Sequence, residues 1–359
     1  MKTREQSSGS FRPWGFFMLS GCRTFRDCRG VRTWLVFLTF ACLGVLASDP
    51  LLGASDPSTT MKRRQQGILT GMPFMANVAP RTFVDDLGRK LYLAQPPKRI
   101  VSLAPSITEM LFALGLDQEI VGVTEFCNYP PAALDKPKVG YAQPNLESIV
   151  ALRPELIVAP KSFLRVDLLN RLEQLKIPTL LLDAQTVEDI LRHIQLLGRM
   201  VGRVPESIKV TETIRKKMTV LTAHLVGHPR PTLLFVINSD PLITVGPGSY
   251  IHQLIELAGA RNAAEYAGTA YPRLSIEEVL RQNPEFLLFP MGPFEGIPQA
   301  EQDQWRRWTS LEAVKRDQFV QIDSDILNRP GPRVIEALEA LIAILHPGAV
   351  PSAAGEEGL

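Results

Sequence analysis

NLESIVALRPELIVA at residues 145–159 and SIEEVLRQNPEFLLF at residues 275–289 are two versions of one phrase. Each opens on a small polar residue, Asn145 or Ser275, with a glutamate two positions later, Glu147 or Glu277. Pro-Glu follows at the same spacing in both, and an apolar run closes each. Asn and Ser are good N-caps, so a short helix starts there. The proline stops it, because the residue before a proline is pushed out of helical geometry. The apolar run then reads as a buried strand. A chain that writes helix, stop, strand twice, far apart, is expected to contain two lobes of one build.

The surroundings of each phrase support this. Around the first, IVSLA (100–104), EIVGVT (119–124), ELIVAP (155–160) and PTLLLD (178–183) read as strands. Helical periodicity fills 106–115, 164–175 and 187–201, with Ser106 and Glu109 spaced as a capping box. Around the second, TLLFVIN (232–238), EFLLFP (285–290) and FVQID (319–323) are strands. GPGSYIHQLIELAG (246–259) is a glycine-bearing loop and a helix, and a last helix covers 333–345. Near-continuous apolar strands alternating with helices predict parallel sheets covered on both faces. Between the two sets, residues 205–227 read as one helix of roughly 30 Å or more, ended by Gly227 and Pro229. The fold class is therefore α/β: two Rossmann-like lobes with parallel sheets, joined by one long α-helix. The expected layout is a leader and secretory signal at 1–54, a linker at 55–80, an N-terminal lobe at 81–203, a connecting helix at 204–228, a C-terminal lobe at 229–347 and a disordered tail at 348–359. The first lobe opens on a small hairpin, TFVDDLGRKLYLAQPP, with Asp85 and Asp86 in its turn.

The 359 residues are 45% hydrophobic and 21% charged, with a formal net charge of +2, which argues against a nucleic-acid binder. Basic residues from Lys2 to Arg32 precede the uncharged run Trp34 to Ala47, too short to cross a bilayer and followed by small residues. This pattern predicts export, with cleavage near Ala47 or Ala54. An uncleaved anchor and lipidation at Cys22, in Leu19-Ser20-Gly21-Cys22, are the alternatives. Cys22, Cys28 and Cys42 lie in the segment to be removed, so Cys127 is left without a disulfide partner and reads as a small apolar filler. No metal site is expected from it and the scattered histidines.

An enzyme finds little support. GPGS (246–249) opens a helix as a phosphate cradle would, yet it lacks both G-x-G-x-x-G and a Gly-Lys-Ser/Thr ending. A signalling receptor built on the same fold has no output segment attached. Glu147 and Glu277 can each be explained as a carboxylate complementing a helix dipole. Their duplication points further, to a pseudo-symmetric acidic surface that suits a two-fold partner with a basic socket on each half.

PPKRIVSLAPSITEMLFALG, GVTEFCNYPP and NLESIVALRPELIVA together resemble the substrate-binding proteins of ABC importers with a helical backbone, the class III periplasmic binding proteins. The resemblance runs from about Thr82 to Leu345, and the cobalamin-binding members are most similar. It implies a periplasmic, monomeric protein with no intrinsic cofactor and no bound metal. Cobalamin is then a transported ligand gripped between the lobes, and a membrane permease dimer is the partner. Glu147 and Glu277 match the permease-docking glutamates, with Glu278 as fallback. Tyr141 and Tyr271 stand where cobalamin binders carry tryptophans. Phe126 matches an aromatic cleft position, and Asp325 with Arg329 a polar pair near the ligand. Pro160 replaces a ligand-stacking tryptophan, so haem or a ferric siderophore stays open as cargo. Asp325 and Arg329 could also simply pair with each other.

Overall fold

The structure is a computed structural model and describes residues 81–140, 144–162, 165–293 and 296–349. The leader, the apolar run, Cys22, the linker and Tyr141 lie outside the described residues.

The described chain opens on an antiparallel hairpin, β1 (Arg81–Val84) and β2 (Lys90–Leu93). The N-terminal lobe then runs β3 (Ile100–Ser102), α1 (Pro105–Ala113), β4 (Ile120–Val123), α2 (Leu146–Ala151), β5 (Leu156–Pro160), α3 (Val166–Gln174), β6 (Thr179–Leu182) and α4 (Val187–Val201). Its four strands are parallel, in the order β4-β3-β5-β6. Helix α5 (Val204–Ala223) follows, about 30 Å long. It stops at Ala223, before the turn that leads to Gly227, so it is shorter than the 205–227 expected.

The C-terminal lobe runs β7 (Thr232–Phe235), a small hairpin of β8 (Asn238–Ser239) and β9 (Leu242–Ile243), α6 (Tyr250–Leu257), β10 (Arg261–Asn262), α7 (Ile276–Gln282) and β11 (Phe286–Met291). It continues through α8 (Gln299–Asp303), α9 (Glu312–Lys315), β12 (Phe319–Asp323), α10 (Ser324–Leu327) and α11 (Val334–Leu345). Its parallel sheet has the order β10-β7-β11-β12. That is the N-terminal order again, with β7, β10, β11 and β12 standing for β3, β4, β5 and β6. The lobes thus share one topology, and α2 and α7 hold equivalent places, each leading into the third strand of its sheet.

Packing explains why the two lobes act together. One apolar cluster contains the inner faces of both sheets, including Ile100, Leu156, Leu180, Leu233, Phe235 and Leu288, with α1, α4, α5, α6 and α11 filling the space between. The outer faces have separate, smaller cores. Ile149 and Leu172 cover the N-terminal sheet, and Val279, Phe289 and Trp305 the C-terminal one. Helix α5 packs on α4 and α1 of one lobe and on α11 of the other. Gly198 permits the α4–α5 crossing: a Cβ there would lie 2.4 Å from the Ser207 side chain. Among the described residues, no helix is long and apolar enough to cross a membrane.

The capping box expected at Ser106 and Glu109 is absent. Pro105 occupies the first helical position and Ala104 the cap, with no side chain capping the helix. Ser106 and Glu109 are both buried. Glu109 is drawn instead to two arginines of the other lobe, whose charges outcompete a backbone N–H.

Candidate functional site

In a parallel α/β sheet the loops after the carboxyl ends of the strands form the binding crevice. In the N-terminal lobe these are the segment after β4, Lys161 after β5 and Asp183 after β6. In the C-terminal lobe they include α10 after β12. The two sets meet. Asn128 Nδ2 donates to Asp325 Oδ2 at 2.8 Å, and Arg329 Nη1 donates to Asn128 Oδ1 at 2.7 Å. Arg329 and Asp325 pair at 2.5 Å. Glu109, 3% exposed, accepts from Arg329 Nη1 at 3.1 Å and from Arg333 Nη2 and Nε at 2.8 and 2.9 Å. Arg333 also lies 4.2 Å from the centroid of the Tyr129 ring. Burial disfavours the Arg333 cation, but Glu109 overrides this and raises its pKa.

At the other rim, Lys161 Nζ bonds Asp183 Oδ2 at 2.9 Å, which raises the lysine pKa. Opposite stands Tyr271, 58% exposed and near Ser249, the N-cap of α6. Desolvation, with the Asp183 carboxylate facing it, raises the Tyr271 phenol above its ordinary value. Beneath this rim, Asp86 of the first hairpin accepts from the Asp183 N–H at 2.7 Å and from Arg192 at 2.7 Å, and meets His193 Nε2 at 2.6 Å. Burial opposes ionisation of Asp86. The hydrogen bonds from His193, Arg192 and Asp183 prevail and hold its carboxyl far below the usual range.

Asn145 and Ser275 cap α2 and α7 through the N–H groups of Ser148 and Glu278. Glu147 and Glu277 therefore sit at the second helical position, and both are exposed. Neither forms an ion pair among the described residues. The Glu277 carboxyl lies below its ordinary value because its own N–H and the Ser275 hydroxyl stabilise the anion. Glu278, by contrast, is engaged by Arg281 and Tyr266.

Residues 100–326 match the model of the periplasmic binding protein family. The chain belongs to the periplasmic binding protein family. Its class III fold is shared with solved relatives. The crystal structure of a periplasmic vitamin B12-binding protein from Vibrio cholerae is 29% identical, with a TM-score of 0.61, covering 69% of this chain and 96% of that one. A periplasmic haem-binding protein from Pseudomonas aeruginosa is 25% identical, with a TM-score of 0.63, covering 71% and 95%. An uncharacterised ABC transporter substrate-binding lipoprotein from Bacillus subtilis is 27% identical over 312 residues, 84% of this chain and 95% of that protein. The family is one of substrate-binding proteins rather than enzymes.

In this periplasmic binding protein, Phe126, Asp325 and Arg329 come together at the junction of the lobes. The Phe126 carbonyl accepts from Arg329 Nη2 at 3.5 Å. Asp325 and Arg329 pair with each other, as the alternative reading had it, and with Asn128 and Glu109. Tyr271 lies on the opposite rim, and Tyr141 is outside the described residues. Cys127 is buried against Thr108 and Thr124, and burial raises its thiol. Sequence reading gave Glu109 a capping role and Asp86 a turn role, and it did not single out Arg333, Lys161, Asp183 or His193. Glu109 did leave a signal: it is a lone carboxylate inside the apolar helix ITEMLFALG, which requires a buried partner.

Proposed function

We propose that this protein is exported, captures a corrinoid, cobalamin foremost, in the cleft between its lobes, and delivers it to the permease dimer of an ABC importer. The observation that carries the reading is the pair of exposed carboxylates, Glu147 and Glu277, capped alike and placed alike on two lobes of one topology. Such a pair addresses a two-fold membrane partner, each carboxylate entering a basic socket. Single exposed ion pairs are weak, at about 0.2–1 kcal/mol, but a matched set fixes orientation.

The cleft favours a corrinoid over the haem and siderophore alternatives. Lys161 is paired with Asp183, and Arg329 and Arg333 with Asp325 and Glu109, so none of the three is an unpaired cation for a propionate or a carboxylate siderophore. A corrin ring with an amide fringe needs apolar faces and neutral polar partners instead. The single core shared by both lobes allows only small closure, so release falls to the importer prying the lobes apart. Calorimetry of the protein against cyanocobalamin, haem and a ferric siderophore tests the cargo. Tight binding of cyanocobalamin alone is expected, and tight haem binding would overturn the corrinoid assignment.

A further inference from the structure

Glu109 is the one carboxylate that both cleft arginines share, and it reaches them from the other lobe. Its helix, α1, belongs to the N-terminal sheet. Arg329 and Arg333 flank the turn between α10 and α11. Gly331, between them, lies against the Ser106 backbone, where even a Cβ would approach Ser106 O to 3.4 Å. The carboxylate accepts three hydrogen bonds: Oε1 accepts from both arginines and Oε2 accepts from the Arg333 Nε. Through Arg329 the contact extends to Asn128 and Asp325, and through Arg333 to the Asp325 carbonyl at 3.0 Å. Glu336 is also near enough to act on Arg333.

Stability alone is a poor reason for this arrangement. The lobes already share an apolar core and a connecting helix. Burying charges costs solvation that their attraction only roughly repays. What such a cluster adds is direction and short range. Apolar contacts yield gradually as surfaces slide, whereas bonds of 2.8–3.1 Å are lost once the lobes part by an ångström or so.

We propose that Glu109 is an interlobe latch: by clamping Arg329 and Arg333 it fixes the cleft opening, positions the Asp325–Arg329 pair, and sets how long cargo is held. The inference rests on the binding reading of the cleft, but not on which cargo fills it. Prying of the lobes by a docked importer breaks the clamp in one step and lets the cargo go.

The test uses the full chain and its Glu109→Gln variant, which keeps shape and removes charge. Cyanocobalamin, haem and a ferric siderophore serve as probes, with association and dissociation rates measured separately. For whichever probe binds, dissociation should accelerate at least about tenfold while association changes less than about twofold. Ile149→Val, in the outer core of α2, is the control: it lowers stability without touching the clamp and should leave both rates unchanged. Hydrogen exchange supplies a readout free of cargo: amides of 105–113 and 326–334 should exchange faster in Glu109→Gln and not in Ile149→Val. Arg333→Gln should reproduce both effects if Glu109→Gln folds poorly. Unchanged dissociation and unchanged exchange would overturn the latch. Failure of every probe to bind would sink the cargo assignment, and the exchange result would still decide the latch.

Discussion

Replacing Asp86 by alanine should loosen the first hairpin from the lobe that carries it, and should do so in a pH-dependent way. Asp86 holds three partners at 2.6–2.7 Å: His193, Arg192 and the Asp183 N–H. His193 is 1% exposed and would be left without its carboxylate. Hydrogen bonds to a charged group contribute roughly 1.5–3 kcal/mol each, and Arg192 keeps a second partner in Asp189. A loss of about 3 kcal/mol at pH 7 is therefore expected. The folded-state pKa of Asp86 is depressed, so its contribution is complete above the unfolded value of 3.8 and disappears as pH falls through the depressed value. Urea unfolding of wild type and Asp86→Ala at pH 7, 5 and 3 measures this. The gap should be narrower at pH 3 than at pH 5. A gap under about 1 kcal/mol at pH 7, or one that widens between pH 5 and pH 3, would refute the reasoning.

Other expectations follow from the same contacts. Glu147→Ala combined with Glu277→Ala should abolish cargo uptake in cells and leave cargo affinity intact, whereas Glu278→Ala, which removes a carboxylate already held by Arg281, should leave uptake unchanged. Gly198→Ala should destabilise by about 1–3 kcal/mol in thermal or urea unfolding, since its Cβ would meet Ser207 at 2.4 Å and force α4 from α5. Tyr271→Ala should weaken cargo binding at least about fivefold by titration, with Tyr271→Phe close to wild type, if the exposed ring face is what the ligand uses.

Much of the architecture was legible because it rests on local rules. Alternating apolar runs marked the strands of both sheets, and helix α4 begins and ends at the residues its periodicity indicates, Val187 and Val201. Asn145 and Ser275 cap as their side chains suggest. Errors came where a partner that the local pattern does not show took a residue over. Thr232 to Asn238 reads as one strand, but pairing with β11 and β10 ends by Val236, and the chain turns into the β8–β9 hairpin. Asp85 keeps the turn role its position implies, accepting from the Leu87 and Arg89 N–H groups, while its neighbour Asp86 leaves the turn for α4.

Sequence by itself determined the doubling: two lobes of one topology, a rod between them, and one exposed, capped glutamate at the same place in each. These follow from interactions between residues a few positions apart, which periodicity and capping record directly. Only the tertiary structure decided where Glu109, Arg329 and Arg333 go. Their partners lie some 220 residues away along the chain. A buried charge takes whichever counter-charge folding brings within reach, and spacing along the chain carries no record of that choice.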